Sequence, residues 1–504
     1  MGVEAEIASR EELIARARQL REKLRNDPHR PAYHFVPPSA WMNDINGSIF
    51  WKGRYHTFYQ YNPQGAYNDG PLMHWGHASS VDLVHWVHHP IALAAPSWSG
   101  NALVSKEGIP TVVYFSPDGI CVAVSRDDML IDWTMDPANP VIPKPKPDDP
   151  DFGKYTVHDS FCWLAGDTYY ALVNKKPPRG GGDLAFLFKS PDLHHWEFLG
   201  PFYQSDRHWT DAEEDCAVPD FFPLGDKHML LFCSHFQATQ YYLGRLENER
   251  FYPQTHARMS WPGGQLAGPR TLLDDKGRRI FFDWIREIRG VERERASGWS
   301  GVMTLPRILS LAKNGTLCIE PAAELEVLRM HPHVAHGDVR VPGDSESVVD
   351  GVEGDCLELA VQITPQDAQE FGVKVRCSAD DTEQTAVLCN VASKTLSVDV
   401  GQSTLDDSIR YPYCRNDAAL ERLPVDERFR RAQEAPFELA AGEMLDLRIF
   451  IDRSVLEVFA NNRQCITQRI YPARSDSVGA RLFSTGGAVH VNSLEAWAMA
   501  PTHD

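Results

Sequence analysis

From about residue 31 to residue 335, short aromatic and β-branched runs alternate with turns rich in Gly, Asn and Asp. The first such unit reads Ser48-Ile-Phe-Trp, then Lys52-Gly53-Arg54, then Tyr55-His-Thr-Phe-Tyr-Gln-Tyr-Asn62. Two strand-like runs about a Gly-containing turn predict a β-hairpin. The unit recurs as Asp159-Ser-Phe-Cys-Trp-Leu-Ala-Gly-Asp-Thr-Tyr-Tyr, as Asp220-Phe-Phe-Pro-Leu-Gly-Asp-Lys-His-Met-Leu-Leu-Phe, and as Leu272-Leu-Asp-Asp-Lys-Gly-Arg-Arg-Ile-Phe-Phe-Asp-Trp. A second repeat runs beside it: Ser80, Asp82 and Trp86; Ser125, Asp127 and Trp133; Ser190, Asp192 and Trp196. Self-similar hairpin units of about 40–50 residues predict a β-propeller. From 336 onward aromatics thin out and period-two runs continue, as in Leu445-Asp-Leu-Arg-Ile-Phe-Ile-Asp452, which predicts a β-sandwich. Before the repeats, residues 8–25 carry an apolar stripe of Leu13, Ala17, Leu20 and Leu24, with Ser9 and Glu12 spaced as a capping box. The expected organisation is an N-terminal helical extension over 1–30, a propeller over 31–335 and a sandwich over 336–504. The helix is expected to pack on the main domain or on another subunit, so a homo-oligomer is one expected state.

Composition narrows the function without naming it. A formal net charge of −19 over 504 residues, spread along the chain, argues against nucleic acid or an anionic membrane as partner and suits a neutral ligand. The ten cysteines form no C-x-x-C pair and mostly fall in apolar runs, the pattern of buried reduced thiols. No stretch approaches the roughly 18 apolar residues of a membrane span, and the N-terminus lacks an apolar signal core. A cytoplasmic protein is the expectation.

Acids stand out against this background. Asp44 lies in Trp41-Met-Asn43-Asp44-Ile-Asn-Gly47, beside an indole and an amide, a set that suits a sugar ring and its hydroxyls. An Asx-turn acid without chemistry would read the same way. Acids at matching places in successive blades would converge on the central channel. The run Glu213-Glu214-Asp215-Cys216-Ala-Val-Pro219-Asp220 leads into a hydrophobic strand and is expected to face that channel.

These residues carry a resemblance. Trp41 to Gly47, Tyr59-Gln60-Tyr-Asn-Pro63, Trp75-Gly-His-Ala78, Ser99-Gly100, Trp299 to Arg307, and Leu447 to Ser454 through Glu457-Val-Phe459 together resemble glycoside hydrolase family 32, the invertases, inulinases, levanases and fructosyltransferases. The resemblance implies a five-bladed β-propeller followed by a β-sandwich. It maps the nucleophile onto Asp44, with Ile45 where the family carries Pro. It maps the transition-state-stabilising acid onto Asp159, within His158-Asp159-Ser160 where the family carries Arg-Asp-Pro. The acid/base Glu of the family's Glu-Cys motif falls in a stretched copy here. Adjacency to Cys216 would name Asp215, and side-chain reach names Glu214; Glu214 is taken as the acid/base, with Glu213 behind both. Asn43, Gln60, Trp75, Trp98, Ser99, His158 and Asp215 are the expected substrate contacts.

The implied reaction is retaining transfer of terminal fructosyl units from sucrose or short fructo-oligosaccharides, with the two working carboxyls about 5–5.5 Å apart. No metal or organic cofactor is required. A dedicated fructosyltransferase, a hydrolase of an unusual fructose-containing saccharide, and an inactive carbohydrate-binding protein on the same fold are the competing readings.

Overall fold

The turn at Lys52-Gly53 places two successive residues at positive φ, 45° and 79°. That twist matches two antiparallel strands, so Ala40–Trp51 folds back on Arg54–Asn62. In the computed structural model, which describes residues 10–68, 72–174, 182–414 and 417–503, the same construction repeats around a ring. Blade I comprises Ala40–Trp51, Arg54–Asn62, His74–Ser80 and Trp86–Leu93. Blade II runs from Gly100–Val104 to Trp133–Met135, blade III from Ser160–Ala165 to Glu197–Pro201, and blade IV from Ala217–Leu224 to Arg250–Arg258. Blade V pairs Arg270–Leu273, Arg279–Phe282, Arg307–Leu311 and Leu317–Pro321. The first strands of the five blades contact one another in sequence, and blade V returns to blade I. Trp299–Ser300 adds a parallel pairing to Ala40 and Trp41, which helps close the circle.

The Ser-Asp-Trp repeat is turn chemistry. In each copy the Ser hydroxyl donates to the Asp carboxylate, at 2.9, 3.0 and 3.2 Å for Ser80, Ser125 and Ser190. Asp82, Asp127 and Asp192 then accept backbone N–H groups from the following residues. Each Trp indole donates to the carbonyl of the Leu three residues before it. Those leucines, Leu83, Leu130 and Leu193, sit at φ 68°, 55° and 68°. A buried leucine in the left-handed region is costly, and the Asp and Trp contacts on either side hold it there.

Residues 334–498 form two six-stranded antiparallel sheets packed over a core of Val, Ile and Leu. The sandwich is fastened to the propeller by buried charge. Asp452 accepts the N–H groups of Ala32, Tyr33 and His34 at 2.6, 2.9 and 2.8 Å, and His34 Nδ1 at 2.8 Å. Glu457 accepts Leu305 N–H and Arg307 Nη2, both at 3.1 Å. Glu287 receives Arg469 at 2.9 Å and the Tyr471 hydroxyl at 2.5 Å. The N-terminal helix Arg10–Arg25 buries Leu24 and packs Leu20 against the chain's own core. Ser9 lies outside the described residues, as do 69–71 and 175–181. None of the ten cysteines forms a disulfide, and eight of them are buried.

Arg307→Met removes the cation that faces buried Glu457. The expected loss is about 3–5 kcal/mol, because the buried carboxylate loses its arginine and keeps only the Leu305 N–H and the His34 ring beside it. The double variant Arg307→Met/Glu457→Gln should recover part of it. Chemical denaturation of the two variants beside the wild type checks both statements; equal stability of all three would contradict them.

Candidate active site

Asp44 is the fifth residue of Ala40–Trp51, inside the strand rather than at its entrance. The pairing with Arg54–Asn62 slips on both sides of Ile45, so the strand bulges where the carboxylate sits. Ser99, just before blade II, donates its hydroxyl to Asp44 Oδ2 at 2.7 Å. Gln60, on the neighbouring strand, donates to Ser99 at 2.6 Å and reaches the same Asp44 oxygen at 3.4 Å. The side-chain oxygen of Asn43 accepts the backbone N–H of Asp44. Asp44 is only 6% exposed. Its backbone is pressed against Gly268, which stands at φ 120°; a Cβ there would lie 2.7 Å from Asp44 Oδ1 and 2.8 Å from its Cα. Only glycine fits at that position.

Asp159 lies just before the first strand of blade III and reaches across to blade IV, where Val218 N–H donates to Oδ2 at 3.2 Å. Val218 holds φ 47°, which no β-branched residue adopts without strain. His158 Nδ1 stands 3.2 Å from the same oxygen. Burial alone would raise the pKa of Asp159, but His158, His235 and the Val218 amide outweigh it and hold the group well below the usual carboxylate range.

Glu214 precedes the first strand of blade IV and is 1% exposed. Its Oε2 accepts Gln240 Nε2 at 2.5 Å, and Oε1 accepts the Asp211 N–H at 3.1 Å. Arg258 stands 3.8 Å from Oε1. Gln240 Oε1 meets His256 Nε2 at 2.7 Å, which fixes the amide so that its nitrogen faces Glu214. Burial raises the pKa of Glu214 above the ordinary carboxylate value; Arg258, Gln240 and the Asp211 amide offset part of that. The neighbours of Glu214 are differently engaged. Asp215 spends Oδ1 on His235 N–H at 2.8 Å and Oδ2 on His235 Nδ1 at 2.6 Å. Glu213 turns outward to Arg422 at 3.3 Å.

Arg270, itself fully buried, ties the blades together under these acids. It donates to the carbonyls of Ile45 at 3.3 Å and Pro219 at 2.6 Å. Burial lowers its pKa, and the carboxylates of Asp220, Asp159 and Asp44 around it push the other way. Arg270 and the Val218 amide thus link the segments of blades I, III and IV that carry Asp44, Asp159 and Glu214. Trp75 is fully enclosed beneath them, where its indole donates to the Trp98 carbonyl at 2.8 Å and holds the segment carrying Ser99. Trp98 packs on Phe115. Asn43 also lines a cavity of about 300 Å³ with Trp41, Tyr67, Trp284 and Arg286. Among the described residues no group of three or more His, Cys, Asp or Glu side chains is arranged to hold a metal ion, and no helix is long and apolar enough to cross a membrane.

Sequence reasoning missed Gly268, Arg270, Gln240 and Asp283. Asp283 is fully buried; burial raises its pKa to about 7 and the Asp44 charge adds to the rise, while Thr239, Arg307 and the Trp284 amide offset part of it. The Gly268-Pro269-Arg270 step was a readable turn signal, but nothing local says that it abuts Asp44.

The family model described as the N-terminal domain of glycosyl hydrolases family 32 matches residues 34–321, and the one described as the C-terminal part matches residues 324–498. A sucrose-6-phosphate hydrolase of Escherichia coli is 29% identical, over 91% of this chain and 93% of its own. A fructan 6-exohydrolase of Beta vulgaris is 28% identical, over 94% and 87%. The crystal structure of fructan 1-exohydrolase IIa from Cichorium intybus superposes with a TM-score of 0.82 at 25% identity, covering 94% of this chain and 98% of that one; that enzyme has also been solved with 1-kestose. With both halves of the chain matched in order, the protein belongs to glycoside hydrolase family 32 and is a glycoside hydrolase.

Proposed function

We propose that the protein is a retaining β-fructofuranosidase, releasing or transferring terminal fructosyl units from sucrose and short fructo-oligosaccharides. The observation that carries this reading is the division of labour between two buried carboxyls. Asp44 has one oxygen held by Ser99 and a strand bulge that aims it. Glu214 has a raised pKa and a fixed amide partner. A held carboxylate nucleophile and a second carboxyl with a raised pKa are the pair such a reaction needs.

In the first step Asp44 attacks the anomeric C2 of the fructosyl unit. The bond from C2 to the leaving oxygen breaks, and Glu214 gives that oxygen its proton. In the second step Glu214, now a carboxylate, takes a proton from the acceptor, whose oxygen displaces Asp44 from C2. Water as acceptor gives fructose; a sugar hydroxyl gives a longer saccharide. Asp159, ionised throughout, takes ring hydroxyls and stabilises the positive charge that develops at the anomeric centre. Asn43, Gln60, Ser99, Trp98 and His158 surround this point, Trp75 supports it from below, and Asp215 holds His235.

Incubation with sucrose, following glucose and fructose separately, tests the reading. Wild type should release both, and Asp44→Asn should lose roughly 10⁴-fold or more in kcat. Glucose in excess of fructose would mean transfer to sugar. No release from sucrose or fructo-oligosaccharides would sink the proposal. Glu214→Gln should lose roughly 10²–10⁴-fold on sucrose, and far less on a fructosyl substrate whose leaving group needs no proton. Asp215→Asn should hurt both substrates alike, because it acts through His235; the reverse pattern would make Asp215 the acid/base.

Gln240 donates to Glu214 and so lowers its pKa. Gln240→Met removes that donor, and the Glu214 pKa should rise. The alkaline limb of kcat/KM, where the acid loses its proton, should then move to higher pH by up to about one unit. An alkaline limb that stays in place would separate it from Glu214.

A further inference from the structure

A second candidate site shares no lining residue with the channel acids. A crevice of about 450 Å³ runs between the N-terminal helix, the segment that leads into blade I, and the turn after Asp452. Arg21, Arg25, Arg30, Arg453 and His503 line it, and none of its lining residues is acidic. Arg30 is 7% exposed, the rarest setting for a guanidinium without a carboxylate bonded to it. Its Nη2 donates to the Pro37 carbonyl at 2.9 Å, and its Nη1 meets no acceptor. Asp27, the nearest acid in sequence, commits its carboxylate to the Trp299 indole at 2.7 Å and to the His29 N–H at 2.8 Å. Arg453 spends Nη1 on the carbonyls of Asp27 and Arg30, at 3.2 and 2.8 Å, which pins it beside Arg30. The paired cations are thus held by backbone carbonyls; the carboxylates near them are Asp355, 3.9 Å from Arg453 Nε, and Asp27, whose charge reaches Arg30 while its oxygens stay on Trp299 and His29.

We propose that this crevice binds a phosphate monoester of a small polyol. Two pinned guanidiniums, with Arg21 and Arg25 across the gap, match the charge and fork geometry of a phosphoryl group. The crevice is larger than a bare phosphate, and Leu20, Leu24 and Pro38 give the body of the ligand an apolar wall. Charge placed there would relieve the repulsion between Arg30 and Arg453 and clamp the helix to the sandwich. The site stands independently of the channel chemistry.

Isothermal titration of the whole protein at constant ionic strength tests this, with inorganic phosphate, glucose 6-phosphate and glucose as probes. Glucose 6-phosphate should bind saturably at one per chain, and its affinity should fall about tenfold both in Arg453→Gln and in the helix-surface double variant Arg21→Gln/Arg25→Gln. The double variant changes only exposed side chains, so it reads the site even if Arg453→Gln folds poorly. Inorganic phosphate binding as tightly as the ester would keep the site and assign it to the free anion. Absence of saturation with either phosphate, or binding that survives the double variant unchanged, would overturn the proposal; so would glucose competing with the ester, which would place the binding in the channel.

Discussion

Carboxylates buried around one channel must each be given hydrogen bonds or charge in place of the water they lose, since leaving one unmet costs several kcal/mol. Most of the propeller's unusual local structure answers that demand. Asp44 takes Ser99 and Gln60; Asp159 takes the Val218 amide and His158; Glu214 takes Gln240 and the Asp211 amide; Asp215 takes His235 twice. Two of these partners cross between blades: Ser99, just before blade II, reaches Asp44, and Val218 of blade IV reaches Asp159. Asp44 and Asp159 are therefore fully compensated only when neighbouring blades are in register, whereas Glu214 and Asp215 are met within blade IV. Val218 at φ 47° and Gly268 at φ 120° mark where the backbone bends to bring those partners within reach.

Compensation is also uneven, and the chemistry depends on that. The histidines near Asp159 hold its pKa low, whereas burial dominates at Glu214 and raises its pKa. Three acids at one end of a channel would otherwise titrate as a group. The sandwich contributes at a distance. Asp452 grips the backbone from Ala32 to His34, ahead of Ala40–Trp51, and Glu457 holds the Leu305 N–H and the Arg307 guanidinium, where the third strand of blade V begins. The family-like motif from Leu447 to Phe459 is thus a fastening between domains, with no acid of its own in the channel.

The repeats made the architecture readable, because hairpin spacing and turn residues are local properties of the chain. Asp44 and Asp159 stood out for the same reason: each sits where a polar motif interrupts an aromatic strand. The Ser-Asp-Trp repeat was equally visible, yet its carboxylates serve turns, and sequence spacing does not separate the two uses. Choosing between Glu214 and Asp215 needed the fold, since they are adjacent and of like charge. What distinguishes them is the partner each finds twenty or more residues away, Gln240 or His235. Gly268 and Arg270 were illegible because their role is a contact with Ile45 and Asp44, more than 220 residues earlier.

The departures from the family motif acquire a physical sense once these contacts are known. Where the family carries Pro, Ile45 keeps an N–H, and it donates to the Gly268 carbonyl at 3.2 Å. Proline has no hydrogen to give there. The substitution adds a tie between blade I and the residue pressed against Asp44. On the other side, His158 stands where an arginine is expected, with its Nδ1 3.2 Å from Asp159 Oδ2. An arginine would hold a fixed positive charge at that point. A histidine puts a single ring in place of that guanidinium fork, so the hydrogen-bonding surface beside Asp159 differs from the family pattern while the carboxylate itself stays in place.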